Sequence, residues 1–343
     1  MNRLDRATFV RTIACAGAAT QLLASRAGAA PALKVRIGWQ PTLNGARYFI
    51  AQDEGIFAKN GLDIEPIKFT SGPAFFSAFQ SGSIDIAFMG TPPASIGISQ
   101  QVPMKIFAVE NYSQNSEALV ARKGSGIASL HDLKGKKVAA KRGTSGDYAL
   151  QTGLKKVGLT LADIQFLDID VAALIPAFQR GDIDAAWYWE PWQGLLRDNG
   201  GRQIVTDGQI GAVIGIVWVG RPAWMSDNAE AMRRLLRSID DATAVVVGQP
   251  QKAAGYVAKD LGVTQDLALQ VLTKEAHWPT MKETWNPAYV ESINTEAIAH
   301  GKGLVAALEP LAEFQKQVRA IDAVPDFAKA IDTRYLAAYL GQH

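Results

Sequence analysis

The chain has 343 residues, 48% of them apolar and 20% charged, with a formal net charge of +2. That length favours two domains, with ample material for a core in each. A near-neutral balance without a long Lys/Arg run or a basic helix argues against a nucleic-acid binder, and nothing after residue 30 is apolar for the length of a membrane span.

Residues 1–30 form a separate regime. Arg3, Arg6 and Arg11 precede a small, apolar stretch over 12–24, followed by Ala27-Gly28-Ala29-Ala30. A basic start, a short apolar core and an A-x-A site predict a secretory signal peptide over 1–29, cleaved near Ala29 or Ala30. Asp5-Arg6-Ala7-Thr8-Phe9-Val10-Arg11 has the outline of a twin-arginine signal, but Ala7 stands where the second arginine belongs, so both export routes stay open. The single cysteine, Cys15, lies in this segment. The exported chain would then have no disulfide, thiolate chemistry or Cys-based metal site.

The next elements read strand 34–38, helix 45–60, strand 62–68, helix 73–81 and strand 84–89. A second series reads strand 136–140, helix 146–157, strand 164–168, helix 171–180 and strand 183–188. Short runs rich in Val, Ile and Phe alternating with helical patterns predict parallel βαβ units. The two series share a repeat: Ala78-Phe79-Gln80-Ser81-Gly82-Ser83-Ile84-Asp85-Ile86-Ala87 returns as Ala177-Phe178-Gln179-Arg180-Gly181-Asp182-Ile183-Asp184-Ala185-Ala186. Each copy reads as a helix end, a glycine cap and an apolar strand. Each then enters a proline loop, Gly90-Thr91-Pro92-Pro93 or Trp189-Glu190-Pro191-Trp192. The expected fold is α/β: two βαβ lobes whose strand-end loops face one cleft.

Asn115-Ser116-Glu117-Ala118-Leu119-Val120-Ala121 and Gly215-Ile216-Val217-Trp218-Val219 are expected to cross between the lobes as hinge strands. Lobe 1 is thus 33–119 plus 218–343, and lobe 2 is 120–217. Helices are expected over 229–247, 251–261, 265–271, 287–301 and 308–318, completing lobe 1.

Four loops precede helix starts and carry hydroxyls or amides: Gln40-Pro41-Thr42-Leu43-Asn44-Gly45, Thr70-Ser71-Gly72-Pro73, Thr91-Pro92-Pro93-Ala94-Ser95 and Thr144-Ser145-Gly146. Helix N-termini offer free N–H groups and a positive dipole end, which suits an anion, though each loop would serve equally as a plain N-cap. Only Arg47, Lys141 and Arg142 stand near them. Neutral donors suit a monoanion such as a sulfonate, sulfate ester or nitrate better than a dianionic phosphate. Alternation puts Trp187 and Trp189 on the same face of their strand, so core is open to both; Trp187 is assigned to the core, and Trp189 and Trp192, which flank the mouth, are candidate cleft walls. Glu117 and Glu190, in otherwise neutral segments, are candidates to pair with a ligand amine. The four histidines (His131, His277, His300 and His343) lack metal-ligand spacing, and no G-x-S-x-G, Walker A or G-x-G-x-x-G motif occurs. The residues favour binding over catalysis, with no cofactor and no metal.

The order Ile37-Gly38-Trp39-Gln40, Glu54-Gly55-Ile56-Phe57, Gly82-x-Ile84-Asp85-Ile86-Ala87, Gln101-Val102-Pro103, Asn115-Ser116-Glu117-Ala118-Leu119 and Phe178-Gln179-Arg180-Gly181-Asp182-Ile183-Asp184-Ala185, with Trp189-x-Pro191, resembles the sulfonate, nitrate and taurine group of periplasmic substrate-binding proteins of ABC transporters. The Gln-Val-Pro and Asn-Ser-Glu-Ala-Leu segments are most similar to its taurine branch. The resemblance implies a type II periplasmic binding protein fold that closes on a small organosulfonate and delivers it to a permease and its ATPase. By position it implies a site built from Gln40, Ser71, Gly72, Thr91, Pro92, Glu117, Thr144, Ser145, Trp189 and Glu190. The taurine branch carries an Asp just before its Val-Trp-Val strand, where this chain has Ile216. Either Glu117 or Glu190 takes the amine, or the ligand has no amine and a larger carbon tail; the tryptophans lean towards the latter. Nitrate or a pyrimidine thiamine precursor is the alternative ligand, a desulfinase-like enzyme the alternative activity, and a sensor subunit the alternative role. A monomer is the expected state.

Overall fold

The computed structural model describes residues 31–212 and 214–342. The expected signal peptide, its cleavage site, Cys15 and His343 lie outside the described residues. Eleven strands follow one another: β1 (Leu33–Trp39), β2 (Leu62–Lys68), β3 (Ile86–Gly90), β4 (Lys105–Ser113), β5 (Glu117–Arg122), β6 (Lys137–Ala140), β7 (Gln165–Asp168), β8 (Ala185–Trp189), β9 (Gly201–Thr206), β10 (Ile214–Gly220) and β11 (Ala276–His277). They form two sheets, ordered β11-β4-β10-β3-β1-β2 and β7-β6-β8-β5-β9.

The sheets repeat one plan. In the first, β2, β1 and β3 run parallel and β10 pairs antiparallel to β3. In the second, β7, β6 and β8 run parallel and β5 pairs antiparallel to β8. The chain thus passes from β4 in one sheet to β5 in the other, and returns from β9 to β10. The crossings are the short link 114–116 and the connection from β9 to β10. The first segment expected as a hinge strand enters the crossing only with Asn115 and Ser116; its strand part, β5, and the second segment, in β10, are each hydrogen-bonded whole into one sheet. The boundaries expected after 119 and 217 therefore fall inside strands.

The first sheet and the C-terminal helices enclose one core, centred on Ile37, Phe88, Val109, Val219, Leu236 and Val257. The second sheet has a core on each face, one around Leu119, Val138 and Trp187, the other around Val120, Phe178 and Tyr188. Trp187 is fully buried, as expected of a core residue.

The repeated Gly-x-Ile-Asp has a mechanical reason in both lobes. Gly82 (φ 69°) and Gly181 (φ 79°) end their helices in the left-handed region, where a side chain would be strained. The aspartate that follows ties strands together. Asp85 accepts from the backbone N–H of Arg36 (3.1 Å) and from the guanidinium groups of Arg36 (2.6 Å) and Arg221 (3.0 Å). Asp184 accepts from the N–H of Lys137 (3.0 Å) and from Arg122 (3.3 Å). Asp85→Ala leaves two arginines without their buried partner and is expected to lower unfolding stability by about 3 kcal/mol. A urea melt with an unshifted midpoint would refute that.

Three expected helices differ. The pattern over 45–60 divides into helices Ala46–Asp53 and Ile56–Lys59, because Gly55 adopts φ 66° between them. The stretch expected as a helix over 287–301 contains only Thr295–Ala299, with Met281–Trp285 just before it. The helix expected over 308–318 begins earlier, as Leu304–Gln317. Among the described residues no helix is long and apolar enough to cross a membrane.

Candidate ligand-binding site

Four helix starts converge on one cleft between the sheets. From the first lobe come Gln40, Thr42 and Asn44, at the turn Leu43–Gly45 that leads into helix Ala46–Asp53. Gly72 opens the turn leading into helix Phe75–Ser81, and Gly90 and Pro93 belong to the start of helix Thr91–Ser99. From the second lobe come Thr144 and Ser145, at the start of helix Ser145–Lys156. Glu117, Trp189 and Ile216 complete the wall. Prolines at two of these helix starts remove N–H groups, so hydroxyls and the remaining amides must supply the donors.

Among the described residues no cation lines the cleft wall. Arg47 is fully buried and committed to Glu110 (3.0 Å), Thr243 (3.0 Å) and the carbonyls of Val109 (2.6 Å) and Pro279 (2.9 Å). Lys141 pairs with Asp168 at 3.1 Å, and Arg142 stacks over Phe166. Helix N-termini at this wall supply positive dipole ends to the cleft.

The cleft is shut. Trp189 Nε1 donates across it to the Pro41 carbonyl (3.1 Å) and the Leu43 N–H to the Glu190 carbonyl (3.2 Å), while Asn44 Nδ2 donates to Ser116 Oγ of the link (2.8 Å). Further out, Thr70 donates to Asp170 (3.0 Å), and Tyr148 meets Phe314 edge-on. The enclosed volume is about 20 Å³, room for roughly one water.

Within it the carboxyl of Glu117 is the dominant feature. Glu117 sits opposite Trp189 in the β5–β8 pairing, so both side chains share a face. Burial, reinforced by Asp207 nearby, holds its carboxyl well above the usual range against a hydrogen bond from Ser145. Asp207 is itself pushed up to about 7 by burial and accepts from the Glu117 N–H at 3.3 Å. Glu117 Oε2, Gln40 Oε1 and Asn44 Oδ1 are buried without hydrogen-bond partners. Two amide oxygens and a carboxyl oxygen left open at one small site call for a ligand with polar groups, and the amide oxygens need donors.

The residue-level match to known proteins fits this geometry. A model of the NMT1-like family matches residues 28–262. The chain belongs to the NMT1-like family. It is 33% identical over 226 residues to the taurine-binding periplasmic protein of Escherichia coli K12, covering 64% of this chain and 69% of that one. Its fold is that of the alkanesulfonate-binding protein of Xanthomonas axonopodis bound to MOPS, with TM-score 0.74 and 21% identity over 89% of this chain and all (100%) of that one. The desulfurization enzyme DSZB shares the fold at TM-score 0.66 and 14% identity, covering 90% of this chain and 99% of that one.

Six of the ten expected site residues line the cleft of this NMT1-like chain: Gln40, Gly72, Glu117, Thr144, Ser145 and Trp189. The other four do not. Ser71 is buried as the N-cap of its turn, Thr91 is buried in the first turn of its helix, and the Pro92 carbonyl accepts from Gln315 (3.0 Å). Glu190 turns away: it accepts from Arg197 (2.9 Å) and from the Gly194 N–H (3.1 Å), and burial lifts it to about 7. Trp192, also expected at the mouth, packs instead against the Phe178 core. Thr42, Asn44, Gly90 and Pro93 were not singled out, although all lie in the segments that precede the helix starts. Ile216 does face the cleft, where the taurine branch would place its Asp.

Proposed function

We propose that this chain is the periplasmic solute-binding component of an ABC import system for a small sulfonate, closing its two lobes on the ligand and handing it to a permease and its ATPase. The observation that carries this reading is one cleft with helix N-termini and, among the described residues, no lining cation, facing buried oxygens without hydrogen-bond partners. A sulfonate is a monoanion that neutral N–H and hydroxyl groups can hold. The open oxygens of Glu117, Gln40 and Asn44 suit an ammonium at the other end, and the ligand class is therefore an aminosulfonate of taurine size. With Glu190 bound to Arg197, Glu117 takes the amine in place of the Asp that Ile216 replaces.

Closure is the working step. With about 20 Å³ enclosed, a sulfonate enters only when the cross-lobe bonds of Trp189 and Leu43 part. The lobes then turn about the 114–116 link and the β9–β10 connection, and ligand contacts from both sides favour the closed state. An alternative role in catalysis loses support because the single cysteine, Cys15, lies in the expected signal peptide, which leaves the exported chain no thiol nucleophile.

The test is calorimetric titration of the exported chain with taurine, an alkanesulfonate, an arylsulfonate, nitrate and a pyrimidine. Taurine is expected to bind tightest, and failure of every sulfonate to bind would sink the reading. Trp189→Ala is expected to weaken taurine by roughly 1–3 kcal/mol, through lost ring contact with ligand carbon. An unchanged affinity would return Trp189 to a purely structural part.

A further inference from the structure

A second cavity, about 460 Å³ in volume, lies where the two lobes meet one of their links. Every side chain that lines it is polar. Arg197 and Gln193 come from helix Trp192–Asp198 and Gln203 from β9 of the second lobe. Asn115 belongs to the 114–116 link, while Gln270 and Glu275 come from the helical region that completes the first lobe. The size suits a small molecule, and the absence of apolar lining selects one that is polar all round.

The lining holds two opposite charges, one from each lobe. Arg197 donates to Gln193 (3.3 Å), Gln203 (3.0 Å) and Glu190 (2.9 Å), which leaves part of its five-donor guanidinium uncommitted. Glu275 ends the π-helical turn Val271–Glu275, an irregularity that recurs at functional sites. Its Oε1 accepts from Gln270 (2.7 Å), but its Oε2 is buried with no hydrogen-bond partner. The Arg197 charge is felt at Glu275, yet among the described residues Arg197 pairs with Glu190 and not with Glu275. A cation and an anion thus line one cavity without pairing with each other, with amides around them.

We propose that this cavity is a second binding site, for a small polar α-amino acid in its zwitterionic form. Its carboxylate takes the free edge of Arg197, its ammonium takes the open oxygen of Glu275, and the surrounding amides meet a polar side chain. A simple anion would leave Glu275 unsatisfied, and an amine alone would leave Arg197 so; the zwitterion answers both. Because Arg197 and Glu275 belong to different lobes, the bound amino acid ties the closed arrangement together. Coupling is reciprocal, so it strengthens sulfonate binding in the cleft, and the sulfonate strengthens amino-acid binding here.

The probes are L-serine and L-glutamine, titrated into the exported chain by calorimetry, first alone and then with taurine at saturation. The expected result is saturable binding of at least one of them, tightened in the presence of taurine. Glu275→Gln is expected to weaken that binding roughly tenfold or more, and Gln270→Ala, at an exposed position, by roughly threefold, with the cleft's affinity for taurine alone unchanged. Two results would overturn the proposal. One is no saturable binding of either amino acid up to about 10 mM. The other is displacement by taurine together with indifference to Glu275→Gln, which would place the amino acid in the cleft.

Discussion

Glu291→Gln is expected to make the protein less stable than the parent at pH 5 and more stable at pH 8. Glu291 is buried, packed against Gly215 of β10, with its Oε2 lacking a hydrogen-bond partner. Burial alone pushes its carboxyl from 4.5 up to about 8. Below pH 4.5 the group is protonated in both the folded and the unfolded chain, and it costs nothing. As pH rises towards 8, the unfolded chain releases the proton while the folded chain retains it. The folded state therefore loses ground throughout that window, by about 5 kcal/mol in total. Glutamine cannot ionise, so the variant escapes this loss, although its buried amide costs about 1–3 kcal/mol at every pH. Asp207 and Glu190, each raised to about 7 by burial, act in the same direction and remain in the variant. Urea denaturation from pH 5 to 8 checks this: the two stability curves should cross. Parallel curves would mean that Glu291 is ionised in the folded protein.

The path from sequence to fold was clearest where local signals agreed. Strand β2 and helix Val171–Arg180 occupy the expected residues, because their apolar runs are bounded by a glycine or an aspartate with an evident capping role. Asp170, for instance, accepts from the Ala172 N–H to start that helix. Strand β4 was not foreseen. Its Glu110 and Asn111 are polar yet buried, which breaks the apolar pattern, and what makes them admissible is distant: Arg47 pairs with Glu110, and Asn111 donates to the Asn44 carbonyl. No local window contains those partners. The same limit explains the hinge. A strand's residues announce a strand, but which sheet accepts it is decided by β8 and β9 for β5, and by β3 and β4 for β10.

At the site, the helix starts were legible and the side-chain directions were only partly so. Glu117 and Glu190 look alike as acids in neutral segments. Glu117 lies on a strand, and its pairing with Trp189 puts it on the cleft face by period-2 alternation. Glu190 follows the end of β8, where the chain turns and Arg197, one helix later, captures it. The spacing of Glu190 and Arg197 across helix Trp192–Asp198 was the available signal for that ion pair.

The ionisation of Glu117 makes ligand class measurable by pH alone. In the free cleft its carboxyl is held well above the usual range, mainly by burial, so it keeps its proton to a higher pH than an exposed glutamate does. An ammonium group needs the carboxylate, and an aminosulfonate therefore expels that proton as it binds. Its affinity should rise with pH, by up to about tenfold per unit, until Glu117 is ionised in the free protein. A sulfonate without an amine meets the opposite case. The protonated carboxyl can donate to a sulfonate oxygen, whereas the carboxylate repels it, so affinity should fall as pH rises. Taurine and ethanesulfonate, titrated in parallel from pH 5 to 9, are thus expected to give slopes of opposite sign. Calorimetry in buffers of differing ionisation enthalpy should register proton release with taurine alone. Glu117→Gln should flatten both profiles and weaken taurine by about 2–3 kcal/mol, the worth of a buried charge-assisted hydrogen bond, while sparing ethanesulfonate at high pH. If taurine affinity also fell as pH rose, the ammonium would not be at Glu117. The choice of ligand would then rest on the wall formed by Ile216 and Trp189, and a larger carbon tail would become the better occupant.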